Sequence, residues 1–138
     1  MDCIFCSIVK KETDAHIVYE DDKSIVFLDI NPLSRGHCLV VSKEHYRNIF
    51  DTPDDILAHM ISVAKKIAKA IVEALKAEGV NIIMTNNRAA GQTVFHVHIH
   101  VLPRYRNDSI YLHANVLRLQ NEERRIIQEK IKNAIGER

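Results

Sequence analysis

The chain has 138 residues, 46% of them hydrophobic and 27% charged, with a net charge of +1. That is enough for one soluble globular domain with a real core. The balanced charge gives no general electrostatic case for nucleic acid or an anionic membrane as partner, and no apolar run approaches the roughly 18 residues of a membrane span.

Met1-Asp2-Cys3 carries no signal-peptide pattern, so the expected address is the cytoplasm. Cys3, Cys6 and Cys38 are few and odd in number, which speaks for thiols or a metal rather than a disulfide framework. Cys3-Ile4-Phe5-Cys6 has the spacing that lets two thiolates meet one tetrahedral ion, although two ordinary small side chains would read the same way. A four-ligand zinc site would need two further ligands from elsewhere, and the eight histidines offer them.

Ile17–Glu20 and Ser24–Leu28 predict two short strands around Asp21-Asp22. Residues 29–36, rich in Pro, Asn, Ser and Gly, predict a loop, and His37–Val41 the next strand. Thr52-Pro53-Asp54-Asp55 predicts a helix start, with Thr52 as cap and acids in the first turn. The helix should run to about Glu78 and stop at Gly79. Two adjacent apolar seams, one through Ile56, Met60, Val63, Ile67 and Ile71, the other through Leu57, Ile61, Ala64, Ala68, Val72 and Leu75, make a broad packing stripe. His59 on this helix reads as structural or surface.

Val80–Thr85 predicts a buried strand, followed by the polar loop 86–92 and an antiparallel partner strand. After Leu102 the stretch Pro103–Asp108 breaks the pattern. Asn121-Glu122-Glu123 starts a last helix whose apolar face is Ile127, Ile131 and Ile135, with Gly136 near its end. The order of elements gives an α+β fold with a largely antiparallel sheet.

The partner strand carries the most chemistry. In His96-Val97-His98-Ile99-His100-Val101-Leu102 three histidines alternate with apolar residues. On a strand their rings would stand in one row, neighbours roughly 6–7 Å apart. A lone histidine there would be an ordinary hydrogen-bonded side chain, but three desolvated rings are expensive unless they act.

Two chemistries remain open on the residues alone. A neutral imidazole is a good nucleophile towards phosphorus, provided its other nitrogen is held by an acceptor, and neighbouring histidines can donate to the phosphate oxygens. Gly91-Gln92-Thr93 could add backbone amides and a hydroxyl. Alternatively, His98, His100 and His37 could hold a catalytic zinc with an open position.

The stretch His96–Leu102 resembles the histidine-triad (HIT) signature, in which three histidines alternate with apolar residues. The likeness takes in Ala90–Val94 and Pro103-Arg104 and extends from Cys3 to about Tyr105. Under it, residues 1–138 form one HIT domain, with a motif-bearing core over 1–105 and a C-terminal extension with a helix over 106–138. The resemblance implies a five-stranded antiparallel sheet, joined across a homodimer into a ten-stranded one. It implies a hydrolase or nucleotidyl transferase acting at the α-phosphate of a nucleoside phosphoramidate or a dinucleoside polyphosphate, with adenosine the expected base. A nucleotidyl-histidine forms, and a nucleoside monophosphate is released. The competing class is a nucleotide-binding sensor or interaction module with little turnover.

By motif position, His98 resembles the nucleophile, His100 its phosphate-binding partner and His37 the supporting upstream histidine. Asp29 corresponds to the ribose-binding residue, and Asn86, Gly91, Gln92 and Thr93 to the phosphate-contacting loop. Phe5, Ile8, Phe27 and Ile30 fall where the family lines its base pocket, and equally suit a plain core. Family members that begin with C-x-x-C bind a structural zinc, which here implies Cys3, Cys6, His45 and His96 as ligands. One departure stands out: the loop commonly reads Asn-Asn-Gly-x-x-Ala-Gly-Gln, whereas residues 86–92 are one shorter and lack the early Gly. The turn must therefore differ here. Arg88 could reach a distal phosphate or be a solvated surface residue.

Overall fold

The computed structural model describes residues 3–112 and 114–136. Five strands form one antiparallel sheet in the order β1-β2-β3-β5-β4: β1 Ile17–Glu20, β2 Ser24–Leu28, β3 Cys38–Ser42, β4 Gly79–Ile83 and β5 His98–Arg104. β1 and β2 form the expected pair, and β4 pairs antiparallel with β5, with Ile83 opposite His100. β3 and β4 run parallel with β5 between them. The connection joining them is the long helix α2, Asp54–Leu75, which crosses one face of the sheet.

The alternation in β5 sets what each face does. Val97, Ile99 and Val101 turn towards α2 and pack with Val26, Cys38, Val40, Met60, Val63, Ile67 and Ile71. The histidines share the other face with Leu39 and Val41, their cross-strand partners. There Phe5 and Ile8 of a short helix α1, Ile4–Val9, close a second cluster with Ile25 and Phe27. β3 is buried along its whole length because it is covered on both sides. Met60 is fully buried, so its truncation to Ala should cost about 2–5 kcal/mol.

Several expectations are corrected. α1 was not foreseen, because six residues are too few to show helical periodicity. β5 begins at His98, not His96: the Val97 amide leaves the ladder to donate to Tyr46 O at 2.7 Å, so His96 lies outside the strand. Thr52 is not the cap of α2; its hydroxyl donates to Asn48 O at 2.6 Å, and Pro53 takes the cap position with no side-chain cap bond. The helix stops at Leu75 rather than near Glu78. Lys76 adopts a left-handed conformation (φ 58°), and the Tyr105 hydroxyl donates to Leu75 O, so a side chain and a twist do what Gly79 was expected to do. Gly79 instead opens β4. Of the second seam of α2, Ile61 and Val72 remain exposed.

The last helix is present as α3, Asn121–Gly136. No residue of α3 is buried, and Ile127, Ile131 and Ile135 all face solvent. No helix among the described residues is long and apolar enough to cross a membrane.

Candidate functional site

His37 precedes β3, and His98 and His100 lie on the adjacent β5, which brings the three rings together. Fixed backbone groups decide which nitrogen of each ring carries its proton. His98 Nδ1 is 2.7 Å from His96 O, which can only accept, so Nδ1 carries the proton and Nε2 keeps its lone pair. The Leu33 amide, which can only donate, points at His37 Nδ1 at 3.1 Å. Neutral His37 therefore carries its proton on Nε2 and donates it to His100 Nδ1 at 2.9 Å. His100 is left with a proton on Nε2. The pair of rings on β5 thus offers one bare nitrogen and one N–H.

Burial lowers the pKa of His37, His98 and His100, which keeps the rings neutral near pH 7. The side chain of Asp29 is partly exposed, with Oδ2 3.5 Å from His37 Nε2 and Oδ1 accepting from the Asn31 amide. Gly36 holds this corner. It is left-handed (φ +93°), and a Cβ there would lie 2.4 Å from Leu75 Cδ1 at the end of α2.

A second cluster lies at the other end of the histidine run. The ligand atoms of Cys3, Cys6, His45 and His96 all fall within 4.8 Å of one another. His96 Nε2–H donates to Ser42 O at 2.8 Å, which turns a bare Nδ1 towards Cys3 Sγ at 3.2 Å, Cys6 Sγ at 3.5 Å and His45 Nδ1 at 3.2 Å. One lone pair cannot accept three hydrogen bonds. A tetrahedral ion with bonds of roughly 2.0–2.3 Å would have ligand-to-ligand edges of about 3.3–3.8 Å, close to these separations. Burial pushes the His96 ring down to about 4, so it is neutral and available as a ligand. Burial and the neighbouring Cys3 push the Cys6 thiol up, a penalty that a cation among the four would reverse. The four residues therefore fit a thiophilic metal, and Ser42 O serves as the outer partner that orients one ligand. His98 is in neither this group nor the Asp29–His37–His100 group.

A family model, the HIT domain, matches residues 10–107. The chain belongs to the histidine-triad, or HIT, family. It is 38% identical over 130 residues to adenylylsulfatase HINT3 of Arabidopsis thaliana, covering 91% of this chain and 66% of that one. A HIT family protein of Bacillus anthracis superposes with a TM-score of 0.89 at 36% identity, covering 98% of each chain. A zinc-bound histidine triad family protein of Mycobacterium smegmatis superposes at 0.78 and 38% identity, over 97% of this chain and 98% of that one.

In the HIT loop between β4 and β5, Gln92 and Asn86 both bond within the protein. Gln92 is buried, and its carboxamide makes four hydrogen bonds within the protein. It donates to Arg47 O and Val94 O and accepts from the Asn87 amide and Asn48 Nδ2. Asn86 Oδ1 accepts from the Ile49 amide at 2.8 Å. Both side chains brace the loop against the segment after β3; Gln92 has no polar group left over, whereas Asn86 does so through Oδ1 alone. The amides of Ala90, Gly91 and Gln92 are also spent closing the turn. Gly91 supplies a left-handed bend (φ +98°) in open space, and exposed Thr93 makes no hydrogen bond with another described residue.

The missing early Gly has a structural counterpart. Asn87 takes φ 76° and ψ 160°, a backbone region that suits glycine, and Asn48 Nδ2 holds its side chain at 3.0 Å. Of the expected base-pocket residues, Phe5, Ile8 and Phe27 are buried in one cluster, and the Phe5 ring meets Phe27 and His98 edge-on. Ile30 stands apart from them, 91% exposed at the lip of the Asp29 loop.

Three participants escaped the sequence reading: the Leu33 amide, Asn48 and Arg47. A backbone amide carries no sequence signal, and Asn48 and Arg47 meet partners some 40 residues away. Asn48 between Arg47 and the Thr52-Pro53 turn was readable only as loop.

Proposed function

We propose that this HIT protein is a nucleotide hydrolase that cleaves at the α-phosphorus of an adenylyl compound through a covalent nucleotidyl-His98. The observation that carries this reading is His98 Nε2. It is left unprotonated by the Nδ1–H bond to His96 O and stands beside the N–H that His37 directs His100 to present. In the first step Nε2 forms a bond to phosphorus and the leaving group departs with the electron pair of the broken bond. The positive charge that develops on the His98 ring is stabilised by its bond to His96 O. His100 Nε2–H donates to a phosphoryl oxygen, and Thr93 at the Gly91 bend supplies a second polar contact. Water then attacks phosphorus, the P–N bond breaks, its electron pair returns to Nε2, and the water proton passes to solvent as the nucleoside monophosphate leaves. Asp29 Oδ2 is assigned to the ribose hydroxyls, and Ile30 to covering the base, with Phe5 and Phe27 as the wall behind.

Cys3, Cys6, His45 and His96 are assigned to a structural zinc. Its four ligands come from this chain, so when bound it supplies cross-linking of α1 to the sheet. The likeness to a zinc-bound histidine triad protein supports this. The likeness to an adenylylsulfatase supports hydrolysis of an adenylyl compound. The free edge of β4 and the exposed Ile61, Val72 and Ile82 support pairing of two copies into one sheet.

The test is rapid quench with adenosine phosphoramidate or diadenosine tetraphosphate, followed by intact mass spectrometry and peptide mapping. The expected result is an added adenylyl mass on His98, with turnover reduced on the order of 10⁴-fold in His98→Ala. If wild type and variant are equally inert while both bind nucleotide, the protein is a binding module rather than a hydrolase.

A further inference from the structure

The four-residue group around His96 has an inner side and an outer side. His96 is fully buried, whereas His45 is exposed and both Cys3 and Cys6 are partly exposed. The outer side is the contact between Cys6 Sγ and His45 Nδ1, at 3.3 Å. A small oxidant in solvent therefore reaches sulfur there without the domain opening. Cys38 is different: it is 3% exposed and packed in the core beneath α2. Nothing in the chemistry assigned to His98 uses any of these thiols.

Cys3 and Cys6 face each other across the first turn of α1. Cys3 caps the helix, its Sγ accepts from the Cys6 amide at 3.3 Å, and its carbonyl accepts from the Ser7 amide at 3.0 Å. The two sulfurs lie no more than 4.8 Å apart. An S–S bond of about 2 Å, with β-carbons about 3.5–4.5 Å apart, closes that gap only if the turn tightens. The turn carries Phe5 between the two cysteines. That ring is buried and stands edge-on to three others, Phe27 at 5.5 Å, His96 at 5.8 Å and His98 at 5.1 Å. In a close-packed interior a shift of such a ring is passed to its neighbours rather than absorbed.

We propose that Cys3 and Cys6 are a modification site, a thiol pair that a hydroperoxide converts into a disulfide, with release of any metal held by the four residues and a shift of Phe5 against the His98 ring. Cys6, on the outer side, reacts first. Its thiolate forms a bond to one peroxide oxygen, the O–O bond breaks, and its electron pair leaves on the second oxygen, which takes up a proton. The Cys6 sulfenic acid is then attacked by the Cys3 thiolate. The S–O bond breaks, and the departing hydroxide takes up a proton as water. Two electrons have passed from the two sulfurs to the peroxide, and the two thiolate charges that suit a thiophilic cation are gone. Two neutral imidazoles remain, too few to complete a tetrahedron. Because the sulfurs are bonded to each other and not further oxidised, a thiol reductant restores the pair.

The test titrates the reduced full chain with hydrogen peroxide, once after loading with zinc and once metal-free. Intact mass and peptide mapping follow the sulfurs, a chromophoric indicator follows zinc, and NMR follows the histidine rings. The expected product has lost two hydrogen atoms and yields Cys3 and Cys6 in one disulfide, with Cys38 still open to alkylation after denaturation. In the loaded protein zinc should appear in step with the disulfide, and dithiothreitol should reverse both. The His98 ring resonances, assigned by their absence in His98→Gln, should shift on oxidation of the metal-free protein and return on reduction. Sulfinic or sulfonic acid at Cys6 with no disulfide overturns the proposal, as does oxidation of Cys38 at the rate of Cys6. A disulfide that leaves the His98 resonances unmoved overturns it too. A chain that takes up no zinc defeats the metal assignment alone, since the disulfide and the ring shift are read without metal, and neither readout requires turnover.

Discussion

Two clusters grow out of one run of histidines, and they use the same side chain in opposite ways. At Cys3-Cys6-His45-His96 the bare nitrogen faces inward, among thiols and a second ring. At His37-His98-His100 the bare nitrogen of His98 is left outside the bonded pair that its two neighbours make. The difference is made by two carbonyls. Ser42 O holds Nε2 of His96 and frees Nδ1; His96 O holds Nδ1 of His98 and frees Nε2. Two positions along the chain, a ring changes from candidate metal ligand to candidate nucleophile because a different nitrogen is tied.

The comparison is broken most severely at the inward cluster. Cys3→Ser with Cys6→Ser, or prolonged chelation, should remove several kcal/mol of stability, seen as a large fall in the thermal midpoint. His98→Ala should move that midpoint far less while abolishing turnover. A chelator that stops turnover at once, with the midpoint unchanged, would instead put the metal in the chemistry.

A smaller effect sharpens the outward cluster. Burial lowers the pKa of His37, so the folded protein holds it neutral where the unfolded chain takes up a proton, near pH 6.5. As pH falls below that value the unfolded state binds more protons, and stability declines by up to about 1.4 kcal/mol per pH unit for this one group. The decline ends once the folded ring is protonated as well. Urea unfolding at pH 7.5, 6.5 and 5.5 should show a shallower decline in His37→Gln than in wild type. Parallel declines would mean that His37 is not the group responsible.

An effect of similar size concerns the loop that joins the two clusters to the segment after β3. Asn87→Ala keeps the strained backbone and loses the bond from Asn48, whereas Asn87→Gly relieves the strain and loses the same bond. Denaturant midpoints should place the glycine variant about 1–3 kcal/mol above the alanine variant and close to wild type.

The sequence carried the sheet well and the loops poorly, for physical reasons that can be named. Alternation in β5 and the Asp21-Asp22 turn are local signals, and both β1 and β2 have the bounds they imply. Alternation cannot say where the ladder ends, however. It put His96 in a row that the Val97 amide leaves for Tyr46 O. The HIT resemblance separated His96 from His98 and His100 before any geometry did. It also assigned Gln92 to the phosphate, because a motif reports which residues recur and not whether a side-chain amide points in or out. Gln92 is spent on four bonds spanning the fold, and no local pattern announces that. The absent early glycine was legible, and it pointed to the one strained asparagine in the turn.

Phe5 borders both clusters. Its ring lies edge-on to His96 at 5.8 Å and to His98 at 5.1 Å, and it is carried between Cys3 and Cys6. The seating of the first helical turn and the position of the His98 ring therefore meet in one side chain. An oxidant that joined the two thiols to each other would pull on the phenyl group against which the His98 ring packs.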